Sequence, residues 1–346
     1  MSSDEITGRK RDHLALAGSP DVQMTLSNGL DAIRFEPLAL PELDLDAIDT
    51  SSTFLGKTLA LPLMIASMSG GTSESQRLNE QLAIAAQASR IALALGSMRI
   101  ALEKPAQRAA FELRSFAPNI PILANIGGAQ LREIGGLNGA LKCVDIAGAD
   151  ALIVHLNPLQ EALQRDGDTR WTGIKSAIGQ LVQECPVPVI IKEVGHGIGP
   201  ITARALAEIG VRYIDVAGAG GTSWAAIETQ RLGSPEAMKL GTPFHNFGIT
   251  LTEALAAFSA DPQLNSTMFV IASGGLRSGL DVAKALRMGA QLASAAVPFL
   301  HAARRGNDAI TGLISQWHQQ LKICCFVTGS SDIKALKTAT LLSASA

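Results

Sequence analysis

Short apolar runs recur along the chain, at 61–66, 91–95, 120–125, 151–155, 187–192, 213–216, 268–272 and 291–295. They do not alternate polar with apolar residues. A strand with one face in water alternates, whereas a strand buried on both faces does not, and that is the mark of a parallel sheet. These eight runs therefore predict eight buried strands. Helical patterns lie between them, at 75–90, 104–115, 136–147, 172–184, 201–209, 251–259 and 280–288. The first is the clearest: Leu78, Leu82, Ala85, Ala86 and Ser89 fall on one face at helical spacing. Several units end alike, in AGADALIV, EIGVRYIDV and RMGAQLAS, where a glycine caps a helix and the chain turns directly into a strand.

Strands alternating with helices predict an α/β fold, a (β/α)8 TIM barrel. A doubly wound sheet is the runner-up, but no G-x-G-x-x-G follows an early strand with an acidic residue about 20 positions on. One interval, from Tyr213 to Met268, is long and predicts an inserted loop region between strands 6 and 7; its Gly-, Pro- and Ser-rich part, 231–246, reads as a mobile loop. No linker divides the chain. A single domain is expected over 1–346, with an N-terminal extension or flap at 1–56, the barrel at 57–316 and a closing segment at 317–346.

Composition narrows the function. Hydrophobic residues make up 47% and charged residues 17%, which excludes a disordered chain. Aromatics are only 4%, too few for a surface that stacks nucleic-acid bases. A net charge of −2 excludes a generally basic footprint, so no nucleic-acid partner is expected, although a local anion site remains allowed. Cys143, Cys185, Cys324 and Cys325 form no C-x-x-C pair and read as thiols in a reducing compartment. The start of the chain has no apolar run after its charges, and no apolar stretch reaches the roughly 18 residues of a membrane span. A cytoplasmic protein with no membrane partner is expected.

In such a barrel the chemistry lies at the C-terminal ends of the strands. The residues just past the apolar runs are polar and glycine-rich: Ser67-Met68-Ser69-Gly70-Gly71, Gly96-Ser97-Met98-Arg99, Asn125-Ile126-Gly127-Gly128, His155 through Glu161, Lys192-Glu193, Gly220-Gly221-Thr222-Ser223 and Ser273-Gly274-Gly275. Gly274-Gly275, with a short helix starting after the last strand, can cradle a phosphate on backbone amides; the bland alternative is a set of tight turns. Lys192 ends a buried run and needs a partner, for which a phosphate, a flavin or an acid would serve. A rim salt bridge and a Schiff-base role are its alternatives. Glu193 should point to the opposite side of its strand. His155, Asn157, Gln160 and Glu161 form the densest polar cluster, and a single carboxylate with amides fits Mg2+ completed by a substrate phosphate and water. Arg9, Lys10, Arg11 and His13 form a basic patch, read either as solvated surface or as a flap over an anion. Trp224 reads as a substrate wall or a core residue.

These motifs resemble the type 2, flavin-dependent isopentenyl diphosphate isomerases. The resemblance runs through GRKRDH near the start, ASMSGG at 66–71, GSMR at 96–99, ANIG at 124–127, HLNPLQE at 155–161, IKEVG at 191–195, AGAGGTSWAAIE at 217–228 and SGGLRSGLDVAKAL at 273–286. The first strand ends in MSGG where the family more often has MTGG. The resemblance implies FMN, with Ala66, Ser67 and Met68 along its ring system. Ser97, Asn125, Lys192 and Thr222 would bind its polar edges and ribityl chain, and Gly274, Arg277, Ala295 and Ala296 its phosphate. It implies a diphosphate substrate held by Arg9, Lys10, Arg99, His155 and Asn157, with Gln160 and His155 as catalytic residues, Gln160 facing the reacting allyl unit and Glu161 holding Mg2+. It further implies NADPH or NADH as reductant and a homo-oligomer, tetramer or octamer. The reaction implied is interconversion of isopentenyl and dimethylallyl diphosphates by proton transfer. An FMN-dependent oxidoreductase on the same barrel is the alternative.

Overall fold

A computed structural model describes residues 3–68, 73–133 and 135–342. A short antiparallel hairpin, β1 (Ser52–Phe54) and β2 (Lys57–Leu59), precedes eight parallel strands. These are β3 (Leu63–Ile65), β4 (Ala92–Ala94), β5 (Ile122–Gly127), β6 (Ala151–Leu156), β7 (Val189–Glu193), β8 (Tyr213–Asp215), β9 (Phe269–Ser273) and β10 (Leu292–Ala295). They follow one another around a closed barrel in which β10 pairs with β3. Each barrel strand falls on one of the apolar runs, because a parallel strand with helices outside and side chains inside meets water on neither face.

The barrel interior is a packed core, not a pore. Met64, Ala92, Ala94, Leu123, Ala151, Ile153, Ile190, Ile271 and Leu292 fill its lower layers. Phe54 and Leu59 of the hairpin join that cluster, and Phe54 stacks on Phe269 at 5.2 Å. Outside, the helix Ser73–Ser89 buries Leu78, Leu82, Ala85 and Ala86, the face its spacing predicts. The long helix Asn307–Val327 buries Trp317 against Phe299, ring centres 5.6 Å apart. Among the described residues no helix is long and apolar enough to cross a membrane.

Two expected elements are different in the structure. The span 104–115 is not one helix: a short helix at Arg99–Glu103 stops before Pro105, whose ring cannot continue an α-helix, and a 3-10 turn follows at Pro105–Ala110. The inserted region is not a loop at 231–246. The helix Trp224–Leu232 ends at left-handed Gly233, and Ser234 then caps a second helix, Pro235–Gly241, by accepting the Ala237 N–H. Its Gly, Pro and Ser residues are helix punctuation.

Candidate active site

Side chains on a strand return to the same face every second residue. Met64, Leu123, Ile153, Ile190, Ile271 and Leu292 face the interior, so the next inward positions are Ala66, Asn125, His155, Lys192, Ser273 and Ser294. Asp215 at the end of β8 joins them. This upper layer is polar. His155 Nδ1 meets Asn125 Oδ1 at 2.8 Å, and Asn125 Nδ2 donates to Ser67 Oγ at 2.9 Å. Lys192 Nζ lies 3.2 Å from the fully buried Asp215 carboxylate, which also accepts the Ser273 hydroxyl. The partner that Lys192 needs is thus an acid. Glu193 turns away, as expected, and its carboxylate accepts the N–H groups of Val194 and Gly195 at 2.6 Å.

Every residue expected at the site lines one cleft above this layer. Ala66, Ser67, Met68, Ser97, Asn125 and Lys192 form its floor. Thr222, Gly274, Arg277, Ala295 and Ala296 line it at the loops after β8, β9 and β10. Arg9, Lys10, Arg99, His155, Asn157, Gln160 and Glu161 line it from the helix Ser3–Ala17, from the start of the short helix after β4, and from the end of β6 and the short helix that follows it. Ser69, Gly70 and Gly71 lie outside the described residues.

The cationic wall is buried at Lys10 and half-buried at Arg9 and Arg99. Lys10 is pushed down to about 7, by burial first and then by the like charge of Arg9, and its Nζ donates to the Ser97 carbonyl at 2.9 Å. Burial also lowers Arg9. His155 is pushed down to about 4, by burial and then by Lys192, so it is neutral in the protein alone.

After β6 the chain enters a short helix, Pro158–Leu163, with Pro158 in its first turn and Asn157 before it. Asn157 Nδ2 reaches Gln160 Oε1 at 3.0 Å and Glu161 Oε1 at 2.9 Å. The other Glu161 oxygen accepts the Asp168 N–H at 2.8 Å. Gln160 Nε2 donates at 2.8 Å to Glu228, a carboxylate with no exposure. Burial penalises that charge, yet hydrogen bonds from His13 and Gln160 and the Arg231 charge hold the carboxyl below its ordinary value. His13 Nε2 sits 2.8 Å from it and Arg231 Nη1 2.6 Å. His13 meets Trp224 edge-on at 5.0 Å, so Trp224 serves as a wall of the cleft.

Three buried groups here were not picked out as site residues from the sequence. Asp215 is the lone acid inside an apolar run, a signal that was legible. Glu228 lies within AGAGGTSWAAIE, where its i,i+3 pairing with Arg231 reads as an ordinary helix ion pair, and its partners His13 and Gln160 are 215 and 68 residues away. Ser294, whose hydroxyl has no partner among the described residues, reads as one more small residue of its strand.

The glycine pairs serve packing as well as turns. A Cβ on Gly221 would come within 2.7 Å of the Gly275 nitrogen, and one on Gly274 within 2.0 Å of the Gly218 carbonyl, with Gly274 itself at φ +114°. The loops after β8 and β9 therefore touch backbone to backbone.

Comparison with known proteins places this architecture. Residues 156–343 match the model of the family described as FMN-dependent dehydrogenase. The chain is 44% identical over 343 residues to an isopentenyl-diphosphate delta-isomerase of Cronobacter sakazakii, covering 99% of this chain and 98% of that protein. It is 45% identical to the protein of the same name from Stutzerimonas stutzeri, over the whole of both. Among solved structures, a flavocytochrome b2 variant with sulfite bound superposes with a TM-score of 0.70 at 20% identity, over 97% of this chain and 83% of that one. A mandelate oxidase variant with 2-hydroxy-phenylacetamide gives 0.64 at 19%, over 98% and 95%. Likeness at such identity carries the fold alone.

Proposed function

The chain belongs to the isopentenyl-diphosphate delta-isomerase family, and from that premise we infer that it interconverts isopentenyl diphosphate and dimethylallyl diphosphate with FMN, a step of isoprenoid biosynthesis. The observation that carries this is identity above 40% over essentially the whole chain.

The residues fit FMN. The floor is small or flexible at Ala66, Ser67 and Met68, leaving room for a flat ring system, and Ser97, Asn125, Lys192 and Thr222 offer hydrogen-bonding groups around it. The N–H groups of Gly275 and Leu276 donate to no protein acceptor among the described residues. Together with Arg277 and the first turn of the helix Val297–Arg305, entered through Ala295 and Ala296, they make an anion site suited to the cofactor's phosphate. When bound and reduced, FMN supplies an electron-rich face and an exchangeable proton beside the alkene.

The protein's own part is binding, orientation and charge. Arg9, Lys10, Arg99, His155 and Asn157 hold the diphosphate of the substrate, and its charge draws a proton onto neutral His155. Gln160 is fixed at both ends of its amide, by Asn157 and by Glu228. An amide so held orients the allyl unit and does not supply the proton. Glu161 is a single carboxylate. Among the described residues no cluster of three metal-binding side chains exists, so a Mg2+ held by Glu161 would take its other ligands from the substrate diphosphate and water. NADPH or NADH reduces the cofactor. The enzyme works in the cytoplasm as a homo-oligomer, tetramer or octamer.

The test is an anaerobic assay of purified protein with Mg2+, FMN and reductant. Protein that binds FMN and converts one five-carbon diphosphate into the other supports this reading. Protein that neither carries nor binds FMN overturns it. Glu161→Gln protein is expected to lose most of its Mg2+-dependent rate, and unchanged Mg2+ dependence would remove Glu161 as the ligand.

A further inference from the structure

The N-terminal extension does more than cover the barrel. Between Val22 and Leu30 it is threaded along the loops after β8 and β9. Met24 N donates to the Gly221 carbonyl and Ser223 N to the Val22 carbonyl, both at 2.8 Å. Asn28 is buried, at 8% exposure. Its Nδ2 reaches the carbonyl of Gly274 at 3.3 Å and that of Gly275 at 3.1 Å, and its Oδ1 accepts the Leu30 N–H at 3.0 Å. Its backbone is pinned as well. The Asn28 carbonyl accepts Thr252 N at 3.1 Å, and a Cβ on Gly220 would fall 2.2 Å from the Asn28 nitrogen.

These contacts have a geometric consequence. In a planar trans peptide the N–H points opposite to the C=O. Drawing the carbonyls of Gly274 and Gly275 to Asn28 turns the N–H groups of Gly275 and Leu276 the other way, on residues that line the cleft. Gln23 acts beside them: its Oε1 accepts Arg277 Nη2 at 2.9 Å and its Nε2 donates to Thr222 Oγ1 at 3.2 Å. One segment thus fixes two backbone donors and a guanidinium.

We propose that Asn28, supported by Gln23, is a positioning residue for phosphate recognition: it clamps the Gly274-Gly275 carbonyls so that the opposing amides are pre-aimed at the phosphate of the flavin nucleotide. This rests on the placement of that phosphate given above. Asn28 does not touch the ligand. It fixes the donors beforehand, so binding does not have to order them.

The phosphate is what FMN has and riboflavin lacks, so the test compares the two ligands on apoprotein by quenching of flavin fluorescence. Asn28→Asp keeps the size but replaces the donor with an acceptor facing two carbonyls. The expected result is a loss of about tenfold or more in FMN affinity, with riboflavin affinity within about twofold of the wild type. Gln23→Ala, the milder variant, is expected to lose about threefold more affinity for FMN than for riboflavin, since its Thr222 contact serves both ligands and its Arg277 contact only FMN. Apoprotein melting checks the fold; if Asn28→Asp does not fold, Asn28→Ser and Gln23→Ala carry the same comparison. An unchanged ratio of FMN to riboflavin affinity in folded variants overturns the clamp alone. A wild-type protein with no preference for FMN over riboflavin overturns the phosphate placement, and the clamp with it.

Discussion

The lower and upper layers of the barrel interior come from the same strands and the same face, two residues apart. Below, Met64, Leu123, Ile190, Ile271 and Leu292 are fully or nearly fully buried and apolar. Above, Asn125, Lys192, Asp215, Ser273 and Ser294 are buried to a similar degree and polar. Burial therefore does not separate structure from chemistry in this molecule. The difference is in what each layer asks of its neighbours. An apolar layer needs volume filled, whereas a polar layer needs each donor matched to an acceptor. The upper layer matches most of its groups internally, Lys192 with Asp215 and His155 with Asn125, and lines the cleft above.

The strongest test of that contrast is Lys192→Met. It removes one charge of a buried pair and leaves Asp215 uncompensated, for an expected loss of about 3–5 kcal/mol in urea unfolding of the apoprotein. The double variant Lys192→Met with Asp215→Asn should recover much of it. If the single variant costs nothing, the upper layer is not held together by its charges. Next in size is Ile271→Ala in the lower layer. Its expected cost is about 2–4 kcal/mol, from lost transfer energy and a cavity, with FMN affinity within about twofold of wild type. A large loss of FMN affinity would mean that the two layers are not separable.

The smallest effect is a pH dependence at the cationic wall. Burial, and then the Arg9 charge, push Lys10 down to about 7 in the protein alone. A bound diphosphate favours the charged lysine, so its value rises on binding. Below pH 7 Lys10 is charged before and after binding and contributes no slope. Above pH 7 binding must take up a proton, and affinity for inorganic diphosphate should fall by up to about tenfold per pH unit, or about 1.4 kcal/mol. The difference in slope between wild type and Lys10→Met, measured by calorimetry from pH 6 to 9, isolates this contribution from the ligand's own titration. Identical slopes would remove Lys10 from the diphosphate site.

Much of this was legible in the sequence, and the remainder has a physical reason for being hidden. Parallel strands leave apolar runs, so the barrel could be counted, and strand ends are where a barrel places its chemistry, so His155, Lys192 and Gly274 could be read directly. Asp215 was visible as an acid in an apolar run but gave no sign of its partner, which lies on the neighbouring strand. Glu228, Gln23 and Asn28 left no local trace of the contacts that matter at the cleft. Each acts on segments dozens to hundreds of residues away, and such pairing is decided by tertiary packing. The 231–246 region misled for the opposite reason: the same Gly, Pro and Ser residues that break structure also begin and end short helices.

The backbone contact between the loops after β8 and β9 also bears on how this protein can change. Barrel enzymes usually diversify through their strand-end loops, which vary independently of the scaffold. Here the space that side chains would need at Gly218, Gly220, Gly221, Gly274 and Gly275 is filled by one another's backbone and by Asn28 and Leu251. A side chain at any of them collides with a second segment, and at Gly275 with two, so single substitutions through this wall are strongly disfavoured. Libraries aimed at new substrates have their freedom at cleft-lining positions that carry side chains, such as Gln164, Trp224 and Leu300.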